Sequence, residues 1–293
     1  MAWVQRLRTA LSRPYWRLRR RVLRVVFAVL RPDRVGMPNG RTLYLDPADA
    51  RSFALWQASG NVNRRSMALW QALLRLHPWS LILDVGANHG EMLLWPELPR
   101  GAQVYAFEPN PVLAPLLRRS LADSGVASEV VEAAVGSVDG HIALHLDRRW
   151  SGTSSLIAAN TSGDYRTVEV PITRLDSVLA GLDGPAPGDS MLVKIDVEGL
   201  EAEVLQDLCP ALNRWDRVAI MAEVHRLPAE TLDGIASDFD ILALDCAGAL
   251  RRLPLPAREG FDGMDVLLLP KGDAARYGIG QRAAALTASS CPA

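Results

Sequence analysis

The chain has 293 residues, 49% of them hydrophobic, with 32 basic and 33 acidic side chains. This supplies a core for one domain of roughly 200–250 residues plus extensions, and it excludes a disordered chain. Cys209, Cys246 and Cys291 lie far apart, with no C-x-x-C and no metal-ligand histidine spacing. A disulfide framework or zinc site is therefore not expected, and a reducing, cytoplasmic setting is.

Charge is uneven along the chain. Residues 1–34 carry ten arginines and one acid, Asp33, or about +9, which leaves the remainder near −10. Between those arginines Trp3, Leu7, Leu11, Trp16, Leu23, Val26, Phe27 and Leu30 recur at roughly helical spacing. A basic amphipathic helix of this kind lies on an anionic membrane surface or contacts an acidic partner. The plainer alternative is a helix packed on the core with a solvated basic face. No apolar run reaches the ~18 residues of a spanning helix, and no short apolar region leads to a small-residue cleavage site.

The spacing then predicts a turn and short strand over Gly36–Leu45, and a helix over Arg51–Leu76 stopped by Pro78. Leu81–Asp84 reads as a buried parallel strand, broken by Gly86-Ala87-Asn88-His89-Gly90 into a tight turn that opens a helix. Pro96 and Pro99 keep that helix short. The turn lacks the G-x-G-x-x-G pattern of a pyrophosphate site. Asp84 beside it suits a ligand with an ammonium or sulfonium charge, and S-adenosylmethionine carries both.

Ala102–Phe107 is the second strand, ending in Glu108-Pro109-Asn110. An acid there, about 20 residues past the glycine turn, is placed to accept hydrogen bonds from both ribose hydroxyls. Val112–Ser124 is a helix and Glu129–Val131 a third strand. Ala133 and Ala134 follow, small enough for an adenine to lie against the backbone. Ser137–Leu146 and Thr167–Ile172 read as an antiparallel pair around the loop Arg148–Asp164, expected to cover the site. After a helix at Leu175–Leu182 comes the fourth strand, Met191–Ile195, ending in Asp196-Val197-Glu198-Gly199. Its helix runs to Leu208. Val218–Val224 is the fifth strand, with Glu223 and His225 at its end. Asp240–Leu244 and Met264–Leu269 form an antiparallel edge pair.

These motifs, in this order, resemble the FkbM-type S-adenosylmethionine-dependent methyltransferases. The resemblance rests on the Asp84–Gly90 turn, Phe107-Glu108-Pro109-Asn110, the Ser154-Ser155 loop, Thr173-Arg174-Leu175-Asp176, Lys194-Ile195-Asp196-Val197-Glu198-Gly199-x-Glu201 and the Glu223/His225 strand end. It implies an α/β fold, a class I (Rossmann-like) seven-stranded, mostly parallel sheet with helices on both faces and an antiparallel last strand. It also implies methyl transfer to hydroxyl oxygens, often of sugars or polyketide-like products. Asp84, Gly86, Ala87, Asn88 and Gly90 match the methionine-binding turn, and Glu108, with Asn110 beside it, the ribose-binding position. His89 and Glu91 depart from the pattern, standing where an apolar and an aromatic residue are usual. The expected organisation is a basic extension (1–35), a lead-in (36–79), the methyltransferase domain (80–270) and a tail (271–293).

Methyl transfer to an alcohol needs in-line alignment and a proton acceptor. Asp196 is expected as base or hydroxyl-orienting residue. Glu198, Glu223 and His225 are its candidate partners. Ser154, Ser155 and Lys194 are candidate substrate contacts, Lys194 also having an ion pair with Asp196 as its plainer reading. Three acids at strand ends can hold a divalent metal through oxygen, although a polar network is favoured. The expected reaction is O-methylation of a saccharide, glycolipid or similar hydroxylated acceptor in a bacterial cytoplasm, peripheral to the inner membrane if the basic segment docks there. A non-catalytic cofactor-binding scaffold is the competing reading. Nucleic-acid methylation is disfavoured, because the core is acidic and its aromatics are not interleaved with basic residues.

Overall fold

The structure, a computed structural model, describes residues 18–182, 184–224, 227, 229–244, 250–252 and 265–279. A helix over residues 18–30 (α1) leads into a hairpin, β1 (Arg34–Gly36) and β2 (Thr42–Tyr44). Where one helix was expected over Arg51–Leu76 there are two, α2 (Ala50–Gln57) and α3 (Arg64–Leu74). The break is local: Ser59 and Gly60 take positive φ, and the Gly60 amide caps the Leu55 carbonyl at 2.7 Å. Asn63 then starts α3 by accepting from the Ser66 amide.

The strands β3 (Leu81–Val85), β4 (Gln103–Phe107) and β5 (Glu129–Val131) alternate with α4 (Glu91–Leu94) and α5 (Leu113–Asp123). A side sheet follows, made of β6 (Ala134–Val135), β7 (Gly140–Asp147) and β8 (Tyr165–Thr173). Next come α6 (Leu175–Gly181), β9 (Ser190–Ile195), α7 (Glu201–Leu212) and β10 (Arg217–Glu223). α8 (Ala229–Asp238), β11 (Phe239–Leu244), β12 (Leu250–Arg252) and β13 (Asp265–Pro270) complete the described elements.

The central sheet has the order β5-β4-β3-β9-β10-β13-β11-β12. The first five strands are parallel, and β13 runs antiparallel to both of its neighbours. This is the expected mostly parallel sheet with two differences. It has an eighth strand, β12, whose three residues are too few to show alternation, paired on β11. The predicted antiparallel pair forms as β11 and β13, but β12 takes the edge outside it and β13 lies between β10 and β11.

Strands buried on both faces need helices on both. Ile82 and Leu192 pack with Leu55, Trp70, Leu93 and Leu117 from α2 to α5, while Leu83, Val85 and Val193 pack with Leu175, Leu179 and Leu208. The predicted pair around the Arg148–Asp164 loop forms as β7 and β8, in register from Gly140↔Ile172 to Asp147↔Tyr165. It has a small core of its own, including Leu144, Leu146, Val170 and Ile172.

Candidate active site

β3 ends at Val85, and the chain turns through Gly86 (φ +81°) and Gly90 (φ +88°). The turn is pinned across to β4, where the Gly86 and Ala87 amides both donate to the Phe107 carbonyl, at 3.0 and 2.9 Å. A Cβ on Gly86 would stand 1.9 Å from the Asp196 carbonyl oxygen, and one on Gly90 2.4 Å from Leu117. Backbone blocks any Cβ at Gly86 and the left-handed φ strains one at Gly90, so the Gly86 turn and the β9 strand end are held against each other.

This turn forms part of the wall of a cavity of about 910 Å³ at the carboxyl end of the sheet. Open α/β sheets bind ligands there, and the volume is that of a small-molecule site. Glu108 lines it, buried, with Oε2 accepting from the Asn88 amide at 2.7 Å and Oε1 from the Asn110 amide at 2.8 Å. Burial, opposed by those two hydrogen bonds, pushes its pKa up to about 7. Each oxygen keeps a second acceptor direction, so the carboxylate can still receive a diol. Ala133 and Ala134 line the same region.

At the other side of Gly86 stand the acids. Asp196 directly follows β9, Glu198 comes next but one at φ +55°, and Glu223 ends β10; all three line the cavity. They offer oxygens lying within 4.8 Å of one another, a set able to hold a hard divalent cation. Asp265, the register partner of Glu223 on β13, stands behind this set and outside the cavity lining, a neighbouring carboxyl that sequence reasoning missed. Burial first, then Asp196 and Glu198, push Glu223 up to about 9. Burial also pushes Asp265 up to about 6, against a hydrogen bond from Ser66.

Beneath Asp196 lies Lys194. β3 and β9 register Asp84 opposite Lys194, and the ammonium sits 3.2 Å from Asp84 Oδ1 and 3.4 Å from Asp196 Oδ2. Burial opposes its charge, but the two carboxylates outweigh burial and raise its pKa. The structure thus gives Lys194 the ion-pair geometry, away from the cavity lining. Asp84, Ala87, Gly90 and Asn110 also do not line the cavity. They shape it from behind: Asp84 through Lys194, Ala87 through its bond to β4, Gly90 by starting α4, and Asn110 by its amide to Glu108 and its side-chain oxygen to the Val112 amide. His225 lies outside the described residues, as do Cys246 and Cys291.

The β7–β8 loop covers one side. Ser154 and Ser155 line the cavity, but their hydroxyls have structural partners: Ser154 Oγ accepts from the Asp147 amide, and Ser155 Oγ donates to the Glu198 carbonyl at 2.7 Å. Asn160 Nδ2 donates to that same carbonyl at 2.7 Å. Glu201, buried at the start of α7, accepts from the Val197 and Gly199 amides, and so holds the 196–199 turn from its other side.

A second wall, formed by α2 and the start of α3, was not read from sequence as part of the site. Arg51, Ala54, Gln57, Asn61, Asn63 and Arg64 line it, facing Trp150 in the cover. Arg51 pairs with Glu91, and its guanidinium carbon lies 5.9 Å from the Trp150 ring. Asp49, which caps α2, accepts from the Ser151 amide at 3.0 Å and hydroxyl at 2.6 Å, tying the cover to this wall. His89 bridges Asn88 and Ser52, with Nδ1 2.6 Å from Asn88 Oδ1 and Nε2 2.9 Å from Ser52 Oγ. Asn88 Oδ1 also accepts from the His89 amide, so Nδ1 carries the proton and Nε2 accepts from Ser52. Burial lowers the His89 pKa to about 3, which keeps the ring neutral. The two departures from the family pattern, His89 and Glu91, are thus matched by Ser52 and Arg51 on α2. Their only signal in sequence was that both are polar beside the apolar run of a short helix.

The sequence matches the methyltransferase FkbM domain over residues 84–250, more than half of the chain. The chain belongs to that family. FkbM-type proteins are S-adenosylmethionine-dependent methyltransferases, and this one has the central sheet that such enzymes use. No curated protein matches the sequence. Similar solved structures include a putative O-methyltransferase from Klebsiella pneumoniae (17% identity, TM-score 0.41, 70% of this chain and 79% of that one). A methyltransferase from Geobacter sulfurreducens is also similar (16%, 0.41, 75% and 85%), as is the O-methyltransferase TomG from Streptomyces achromogenes in complex with SAM (16%, 0.39, 70% and 79%). The site residues fit the cofactor this family uses, with an acceptor for a diol at Glu108, small residues at 133 and 134, and a glycine turn between Glu108 and Asp196.

Proposed function

We propose that this FkbM-type enzyme transfers a methyl group to a hydroxyl oxygen of a saccharide, glycolipid or similar acceptor. The observation that carries the reading is that Glu108 and Asp196 reach one cavity from either side of Gly86. One is suited to fix a ribose, the other to receive a proton. When bound, the cofactor supplies an electrophilic methyl group on a sulfonium.

Asp196 orients the acceptor hydroxyl and would hold on a carboxylate oxygen the proton that the hydroxyl gives up. Lys194, 3.4 Å from one of its oxygens, fixes that carboxylate from beneath. Glu223, protonated near neutral pH, is a hydrogen-bond donor in this scheme rather than the base. Gln57, Asn61 and Asn63 bring amide side chains to the acceptor wall, and Trp150 brings an aromatic face, a combination that suits a hydroxylated ring. A divalent ion on the acid trio is not required by this scheme.

The test is calorimetric titration with S-adenosylmethionine, followed by transfer assays on hydroxylated acceptors. Asp196→Asn is expected to keep cofactor affinity and to lower kcat by about 10²–10⁴-fold. Full activity in the Asp196→Asn variant would remove the base from this scheme.

A further inference from the structure

α1 is apolar on two opposite faces. On one, Phe27 is buried (5% exposed) against Phe53 and Trp56 of α2, with ring centroids at 5.4 and 5.6 Å. On the other, Leu18, Val22, Val25 and Val29 are 63%, 53%, 63% and 75% exposed. Their spacing of four, three and four residues places them in one stripe about 180° from Phe27. Arg19 lies on one flank of the stripe and Arg21 on the other, and the whole segment 1–34 carries about +9. Isolated exposed leucines and valines need no explanation, but a continuous stripe between arginines does.

We infer that this face of α1 docks on an anionic lipid surface. The positive charge decides against a second copy of the chain, because pairing two such stripes would bring like-charged arms together. The inward packing decides against a groove in another protein. Phe53 and Trp56 already occupy one side of α1, leaving a ridge that can lie on a plane but cannot be gripped around its circumference. In this orientation the aliphatic stripe enters the headgroup–acyl boundary and the flanking guanidiniums meet lipid phosphates. α2 then stands between the membrane-facing helix and the cavity. Its Phe53 and Trp56 hold α1, while Arg51, Ala54 and Gln57 line the cavity. The cavity wall thus lies about two helix diameters, ~20 Å, from the lipid. This docking stands independently of the acceptor chemistry proposed above.

The experiment is co-sedimentation of the full chain with phosphatidylglycerol/phosphatidylcholine vesicles and with phosphatidylcholine vesicles alone, beside Val22→Asp/Val25→Asp. Cofactor affinity by calorimetry serves as the check that the variant is folded. The expected result is salt-sensitive binding to anionic vesicles only, reduced about tenfold or more in the variant at unchanged cofactor affinity. Equal sedimentation of the two proteins, or equal binding to neutral vesicles, would overturn the proposal. So would a wild-type dimer that the substitutions dissociate without any vesicle binding. None of these outcomes depends on turnover, so a failed acceptor screen and a failed docking test remain distinguishable.

Discussion

Asp84 and Lys194 are 110 residues apart in sequence and adjacent in space because two parallel strands register them side by side. That register turns a strand-end acid, expected to face the cofactor's charge, into the counter-ion of a buried lysine whose other partner is Asp196. Glu108 is the opposite case, for its carboxylate reaches the cavity as expected while both oxygens also hold backbone amides of the turns that frame it. Glu108→Ala therefore removes the proposed ribose acceptor and two turn contacts together. Its expected effect is a loss of S-adenosylmethionine affinity of about tenfold or more, measured by calorimetry. Unchanged affinity would take Glu108 out of the cofactor site.

At the scale of elements, one side chain gathers much of the backbone of the cover over the cavity. Asp147, at the end of β7, accepts from the Arg149, Trp150 and Ser162 amides and from the Thr153 and Ser162 hydroxyls. Those contacts hold its carboxyl below the usual range even though burial pushes the other way. Asp147→Ala leaves these donors to water and releases the loop that carries Trp150 and Ser151. The expected outcome is faster limited proteolysis within residues 148–164 and a raised acceptor KM, with a small change in cofactor affinity. A cleavage rate equal to wild type would show that Asn160 and Ser155, bonded to the Glu198 carbonyl, hold the cover without it. The short α4 is supported in the same manner: Asn39 and Arg41 donate to the carbonyls of Leu94, Trp95 and Pro96 that a longer helix would have used internally.

Across the whole molecule, basic charge is gathered at one end of the sequence and acidic charge converges at the carboxyl end of the sheet. Glu223, Glu108 and Asp265 sit at about 9, 7 and 6, all above the ordinary carboxyl range of 3.8–4.5. A carboxyl whose pKa is raised by folding takes up a proton when the chain folds. Its stabilisation is complete below its unfolded pKa and is lost as pH rises through the folded value. Stability is thus expected to fall from about pH 4.5 to pH 9. Between pH 7 and 9 Glu223 is the main contributor, because Asp265 has titrated by pH 7 and Glu108 completes its titration just above it. Urea denaturation at pH 5, 7 and 9 checks this: Glu223→Gln is expected to flatten the decline between pH 7 and 9. Parallel curves for the two proteins would mean that Glu223 is already ionised in the fold.

By itself the sequence determined the central strands, the glycine turn, the four carboxylates that reach the cavity (Glu108, Asp196, Glu198 and Glu223) and the family. Each of these is written locally, as an apolar run ended by an acid, a glycine where a Cβ cannot fit, or a motif of contiguous residues. Tertiary structure alone decided which residues meet. Arg51 joins the site and Asp49 ties down its cover because α2 folds back over the turn, and Asp265 backs Glu223 because β13 inserts beside β10. Lys194 is held off the cavity lining by its register with Asp84, and Val22 and Val25 are left outward because Phe27 takes the inward side of α1. Such pairings depend on distances between elements far apart in sequence, and no local pattern encodes them.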